Sequence, residues 1–184
     1  MTKLHELAEL GQAIWFDYIS RSLVVSGELE ELVDQGLRGV TSNPSIFEKA
    51  IAGSADYDED LNRLVRDGRS VAEIYEDLAM CDIRSAADIL RPVYQKSGGA
   101  DGYVSFEVNP ALAHDTEATI AEARRLFASL ERPNVMIKVP ATPAGKPPNQ
   151  NHNQKPKKNN KTKNNTHKQN KTHTTTNKPN NKKK

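Results

Sequence analysis

Apolar residues along the chain fall into two kinds of pattern. Short runs at 13–19 (AIWFDYI), 39–45 (GVTSNPS), 102–110 (GYVSFEVNP) and 134–141 (NVMIKVPA) are separated by segments rich in Gly, Pro, Asn and Asp, and read as strands. Between them, 3–11, 26–36, 45–52, 56–67, a long segment from Ser70, and 115–130 read as helices. In the long segment Val71, Ile74, Leu78, Ile83, Ala87 and Leu90 keep roughly helical spacing, and Gly98 and Gly99 stop it. Ser26 and Asp115 stand where N-caps belong, Gly36 where a helix stops, and Pro44 where the second strand must end for want of an N–H.

Strands alternating with helices imply βα units and a parallel sheet. No phosphate-loop or dinucleotide-type glycine fingerprint occurs, so a nucleotide-binding doubly wound fold has little support. The expected fold is α/β: about four βα units, the N-terminal half of a (β/α)8 TIM barrel, over residues 1–145. A whole barrel of this kind needs about 250 residues.

Composition divides the chain at the same place. Residues 146–184 consist wholly of 12 Lys, 11 Asn, 6 Thr, 4 Pro, 3 Gln and 3 His. Those lysines leave 14 of the 26 Lys and Arg for residues 1–145, against all 24 Asp and Glu. The first part therefore carries a formal −10 and the tail +12, and the pI near 8.6 describes neither. A segment with no apolar side chain except proline buries too little to offset its chain entropy, so disorder is expected from 146 onward. Its six residue types are those encoded by codons of A and C alone, which points to an artefact or an out-of-frame region. A genuine tail would instead be a polycationic arm for nucleic acid, with affinity falling steeply with salt. A lone cysteine, Cys81, gives no disulfide framework and suits a reducing compartment. No signal peptide and no membrane-length apolar run occur, so the expected location is cytoplasmic, with no membrane partner.

Strand alternation selects the candidate chemistry. In the third strand Val104, Phe106 and Val108 share one face and Tyr103, Ser105, Glu107 and Asn109 the other. In the fourth, Val135, Ile137 and Val139 oppose Met136, Lys138 and Pro140. If helices cover the apolar faces, Glu107 and Lys138 point into the barrel near strand C-terminal ends, with Asp17 and Asn43 at corresponding positions of strands one and two. Barrel enzymes place their chemistry there. Two readings stand. In the first, Lys138 pairs with Glu107 or Asp17 simply to hold strands in register, since lysine is rarely buried unpaired. Alternatively, a desolvated amine is available to attack a ketone and form a Schiff base. One carboxylate would then take the hydroxyl proton as a carbon–carbon bond breaks, and another would shuttle protons while the carbinolamine loses water. His5 and His114 read as surface or capping residues, Cys81 as core, Trp15 as packing, and 56–69 as a solvated helix face rather than a metal site. No metal and no cofactor are called for.

The stretches WFDYISR, GVTSNPSIFEKAI, GYVSFEVNP and VMIKVPAT, in this order, resemble the successive strand motifs of the transaldolase family, in its actinobacterial and cyanobacterial form, from about residue 3 to Gly145. The resemblance implies a cofactor-free barrel enzyme that transfers a dihydroxyacetone unit from sedoheptulose 7-phosphate to glyceraldehyde 3-phosphate in the pentose phosphate pathway. It implies Lys138 as the Schiff-base lysine, Asp17 as the acid/base of carbon–carbon cleavage, Glu107 as the carboxylate acting through a water, and Asn43 as a substrate-hydroxyl ligand. TSNPSIF argues against a different Schiff-base aldolase. The family's later strands, with their phosphate ligands, have no counterpart in 146–184. The chain as written is therefore expected to lack turnover, and its open barrel edge to favour aggregation or pairing with a second copy.

Overall fold

The computed structural model describes residues 2–143. Within them β1 (Trp15–Phe16), β2 (Gly39–Val40), β3 (Tyr103–Glu107) and β4 (Val135–Lys138) form one parallel sheet in the order β1-β2-β3-β4. Strand order in space equals strand order in sequence, with helices in every connection, which is how half of a (β/α)8 barrel is built. α1 (Lys3–Glu9) precedes the sheet, and α2 (Arg21–Val25) and α3 (Glu28–Asp34) join β1 to β2. α4 (Pro44–Gly53), α5 (Asp58–Arg66) and α6 (Val71–Lys96) join β2 to β3, and α7 (Thr116–Leu130) joins β3 to β4. The expected tail at 146–184 lies outside the described residues. No helix among the described residues is long and apolar enough to cross a membrane.

Hydrophobic burial sets the helices on one face of the sheet. Val40, Val104, Phe106, Val108, Val135 and Ile137 form a single core cluster with Ile83, Ala87 and Leu90 of α6 and Leu126 and Leu130 of α7. Each of those residues in β3 and β4, with Val108 just past β3, belongs to the set whose alternation marks it as helix-facing, which leaves Ser105, Glu107 and Lys138 on the opposite face.

Several local expectations give way to capping chemistry. Ser26 is the C-cap of α2, a helix the pattern does not predict, and Gly27 opens α3 with φ +86°. Ser20 announces α2: its Oγ accepts Leu23 N–H at 3.2 Å. Pro44 starts α4 rather than ending β2, because its fixed φ and missing N–H suit the first helical turn. Ser70 caps α6 in a reciprocal box with Glu73. Val71 is nevertheless exposed, one residue ahead of the stripe, and Cys81 is exposed, turned outward between buried Met80 and Asp82.

Gly102 closes the α6–β3 connection where no side chain fits. Its φ is +83°, and an added Cβ would stand 2.3 Å from Tyr94 N and 2.8 Å from Leu90 O. Its N–H donates to Arg38 O at 2.8 Å, and its carbonyl accepts from fully buried Asn134 Nδ2 at 2.9 Å. Gly102→Ala is therefore expected to cost about 2–4 kcal/mol, combining a positive-φ penalty with backbone overpacking. Urea denaturation measures this, and an unchanged midpoint would refute the tight approach.

Candidate active site

Lys138 and Glu107 are opposed in register at the C-terminal ends of β4 and β3. Their side chains share the face away from the helices, and Lys138 Nζ lies 3.9 Å from Glu107 Oε2. That is an ion-pair distance but too long for a direct hydrogen bond. The lysine side chain is 36% exposed and the glutamate 28%. The expectation of a desolvated amine is corrected: the Lys138 side chain is flanked by protein but in part reached by solvent, although Ser105 on the same face is buried.

The lysine crosses β3 to reach the end of β2. Its Nζ donates to the Ser42 carbonyl at 2.5 Å and to Thr41 Oγ1 at 3.3 Å. Ser105 Oγ donates to Thr41 Oγ1 at 2.8 Å, and buried Ser42 donates its hydroxyl to the Ser105 carbonyl at 2.7 Å. One hydroxyl and one carbonyl thus hold a cation that the strand pattern would pair only with carboxylates, and Ser105 braces the hydroxyl. The alternation had put Ser105 on this face, but without assigning it a role. Thr41 could have been found by carrying the same parity two residues back from Asn43.

Asp17 lies in the bend after β1, exposed, with no hydrogen bond or ion pair to another described residue. Asn43 is half-buried and caps α4, its Oδ1 accepting Ile46 N–H at 3.0 Å. No hydrogen bond or ion pair joins either residue to Lys138 or Glu107. The structure thus brings together one pair of the four candidates and sets the other two on neighbouring β-to-α connections at the same end of the sheet. The cap uses the carboxamide oxygen of Asn43, which leaves its NH2 group, a donor, for any further partner.

Behind β1 lies a buried polar cluster that sequence reasoning missed. Arg21 Nε donates to Asp82 Oδ1 at 3.0 Å and Nη1 to Asp60 Oδ2 at 2.6 Å. Tyr57 O–H donates to Asp82 Oδ2 at 2.8 Å, accepts Arg21 N–H at 2.8 Å, and lies under the guanidinium at 4.6 Å. Asp82 and Tyr57 are almost wholly buried. Burial pushes the Asp82 carboxyl above the ordinary range, against the opposing pull of Tyr57 and Arg21. Burial also opposes the Arg21 charge, yet Asp82 and Asp60 hold the guanidinium above its usual value. The cluster ties the connection carrying Asp17 to α6. Part of the expected solvated face at 56–69 is therefore drawn into it through Asp60. Burial, and after it the charge of Glu107, push the Tyr75 phenol of α6 up to about 12.

The remaining candidates behave more simply. His5 completes a capping box with Thr2, whose Oγ1 lies 2.9 Å from Nδ1. Trp15 packs its indole over Gly39, where a Cβ would come within 2.5 Å of the ring. A groove of about 470 Å³ bordered by His5, Arg38, Lys96 and Asp101 lies where the strands begin and contains none of the four candidates. No group of three or more His, Cys, Asp or Glu side chains among the described residues converges on a metal position.

A family model described as transaldolase/fructose-6-phosphate aldolase matches residues 14–173. The chain is 56% identical over 145 residues to transaldolase 2 of Nostoc punctiforme, covering 78% of this chain and 38% of that protein. It is 52% identical over 145 residues to transaldolase 2 of Streptomyces coelicolor, covering 78% and 39%. With the transaldolase of Neisseria gonorrhoeae the identity is 50% over 145 residues, covering 79% and 41%. The chain thus spans about two-fifths of the length of the curated relatives it matches.

Proposed function

The chain belongs to the transaldolase/fructose-6-phosphate aldolase family, and from that premise we propose that it carries the nucleophilic half of a transaldolase site. The proposed reaction transfers a dihydroxyacetone unit from sedoheptulose 7-phosphate to glyceraldehyde 3-phosphate in the cytoplasmic pentose phosphate pathway, through a Schiff base on Lys138. The observation that carries this reading is Lys138 standing 3.9 Å from Glu107, both half-open, on the sheet face away from the helices. An amine serving only as a strand clip has no need of a face open to a ligand.

The neutral Lys138 amine attacks the ketose carbonyl carbon, and the carbinolamine loses water to give an iminium. Glu107 acts in this step as the acid and base that moves protons between nitrogen, oxygen and water. Asp17 takes the proton of the adjacent hydroxyl as the carbon–carbon bond breaks. The bonding pair flows into the iminium, giving an enamine and a released aldehyde. The enamine then attacks the acceptor aldehyde, whose oxygen recovers the proton from Asp17, and water hydrolyses the new imine to free Lys138. The spare NH2 donor of Asn43 suits a substrate hydroxyl oxygen.

Borohydride reduction in the presence of fructose 6-phosphate, followed by mass mapping, tests the assignment: the adduct is expected on Lys138, and an adduct on another lysine would sink it. Glu107→Gln is expected to slow adduct formation about 10²–10⁴-fold, the scale for a positioned acid/base, while the fold is retained. A rate equal to the parent's would remove Glu107 from imine formation.

A further inference from the structure

Lys138 is held by hydrogen bonds from one side only. The Ser42 carbonyl at 2.5 Å and Thr41 Oγ1 at 3.3 Å both belong to the chain leaving β2. Thr41 is itself fixed, because Ser105 Oγ donates to it at 2.8 Å. The Ser42 hydroxyl ties the same two strands again, through the Ser105 carbonyl at 2.7 Å. Ser105 and Ser42 are both buried, so the frame around Thr41 has little freedom.

A neutral amine has two N–H bonds and one lone pair in tetrahedral arrangement about nitrogen with Cε. The end of β2 offers two acceptors, which engage both hydrogens. The lone pair is then left the one remaining direction, away from Thr41 and Ser42. In the ammonium form the third N–H takes that direction, so the proton leaves along the line on which the nucleophile later attacks. Without the Thr41 acceptor one N–H is unheld, and the amine rotates about its bond to Cε.

We infer that Thr41 is a positioning residue for Lys138 and that Ser105 holds Thr41 in place for that role. This hydroxyl pair aims the lone pair of the nucleophile rather than binding sugar. The purpose of the aim rests on the Schiff-base reading above; the restraint on the side chain does not.

Thr41→Val, Thr41→Ser and Ser105→Ala in this chain test the inference by two readouts. The first is the nuclear magnetic relaxation order parameter of the Lys138 Cε methylene. It is expected to be high in the parent, to fall in Thr41→Val and Ser105→Ala, and to return in Thr41→Ser. The second is the rate of reductive trapping of fructose 6-phosphate over a pH series and a ketone concentration series. Thr41→Val is expected to lower the maximal rate about tenfold at unchanged half-saturating ketone, the penalty of a poorly aimed nucleophile. Ser105→Ala is expected to fall between it and the parent, and Thr41→Ser to restore the rate. An unchanged order parameter in Thr41→Val overturns the inference. So does a raised half-saturating concentration at unchanged maximal rate, which would make Thr41 a sugar ligand. If the parent gives no adduct on Lys138, the Schiff-base reading fails, and the order parameters alone then decide the positioning role.

Discussion

Lys138→Arg is expected to abolish borohydride-trapped adduct formation with fructose 6-phosphate while leaving the fold intact. The guanidinium keeps the positive charge opposite Glu107 and can still donate to Ser42 O and Thr41 Oγ1. It is protonated at every pH the protein survives, so it has no lone pair with which to attack a carbonyl. Any purely electrostatic role would be kept by arginine; a nucleophilic one would be lost. The expected loss is on the order of 10³-fold or more, the scale for removing a nucleophile that acts as a unit with its partners. Lys138→Met serves as the control for charge. If the 3.9 Å pairing with Glu107 were the lysine's whole purpose, Lys138→Met would lower stability and Lys138→Arg would restore it. Because both side chains are about a third exposed and solvent screens the pair, it is expected to contribute at most about 1 kcal/mol, so the two variants should unfold at similar denaturant concentrations. Trapping on an arginine variant at the parent's rate would remove Lys138 from the chemistry.

What the sequence disclosed follows from the range over which each kind of signal acts. Alternation along a strand is a two-residue rule, and it puts Glu107 and Lys138 on one face without knowledge of pairing. That they meet depends on the β3–β4 register, which the strand pattern does not fix, and the register matches Glu107 to Lys138 itself. Helix spacing and caps are equally local, so α6 and α7 begin where Ser70 and Asp115 predict. α2 escaped notice because its two adjacent valines mimic a strand run, with only Ser20 to mark a helix start. Cys81 was misread because a cysteine in an amphipathic helix is commonly core, whereas the phase of α6 buries its two neighbours instead. The partners of Lys138 on the chain leaving β2 are 96 and 97 residues away in sequence, and no spacing rule joins them. The buried lysine of the strand pattern is in fact half-open, since burial depends on what lies across the sheet face, which no single strand records.

Arg21→Met is expected to lower stability by about 3–5 kcal/mol at neutral pH, the cost of breaking a buried pair and leaving its partner charged. That is a large share of the roughly 5–15 kcal/mol that holds an ordinary domain together. Methionine fills much of the space and removes only the polar head, so the loss measures the stranded Asp82 carboxylate rather than a cavity. Asp82 is 2% exposed and would keep Tyr57 as its hydrogen-bond donor. The deficit should depend on pH, with a definite sign. Burial already raises the Asp82 carboxyl in the native parent, and loss of Arg21, one of the groups lowering it, raises it further. A raised carboxyl favours the native state most when protonated, so that contribution is complete below its unfolded value, near about 3.9, and is lost as pH rises through the folded value. The gap between variant and parent is therefore widest at neutral pH and closes on acidification as Asp82 takes up a proton. Asp60 works in the same direction. In the parent, Arg63 first, and Arg21 among the other causes, hold its carboxyl below the ordinary range. Without Arg21 the variant has less of that stabilisation to lose in acid. Urea midpoints over a pH series give the test, and a gap that widened on acidification would show that Arg21 is not what keeps Asp82 ionised. The same variant bears on the site: Arg21 lies four residues beyond Asp17 and away from Lys138, so in the folded fraction imine trapping on Lys138 should survive.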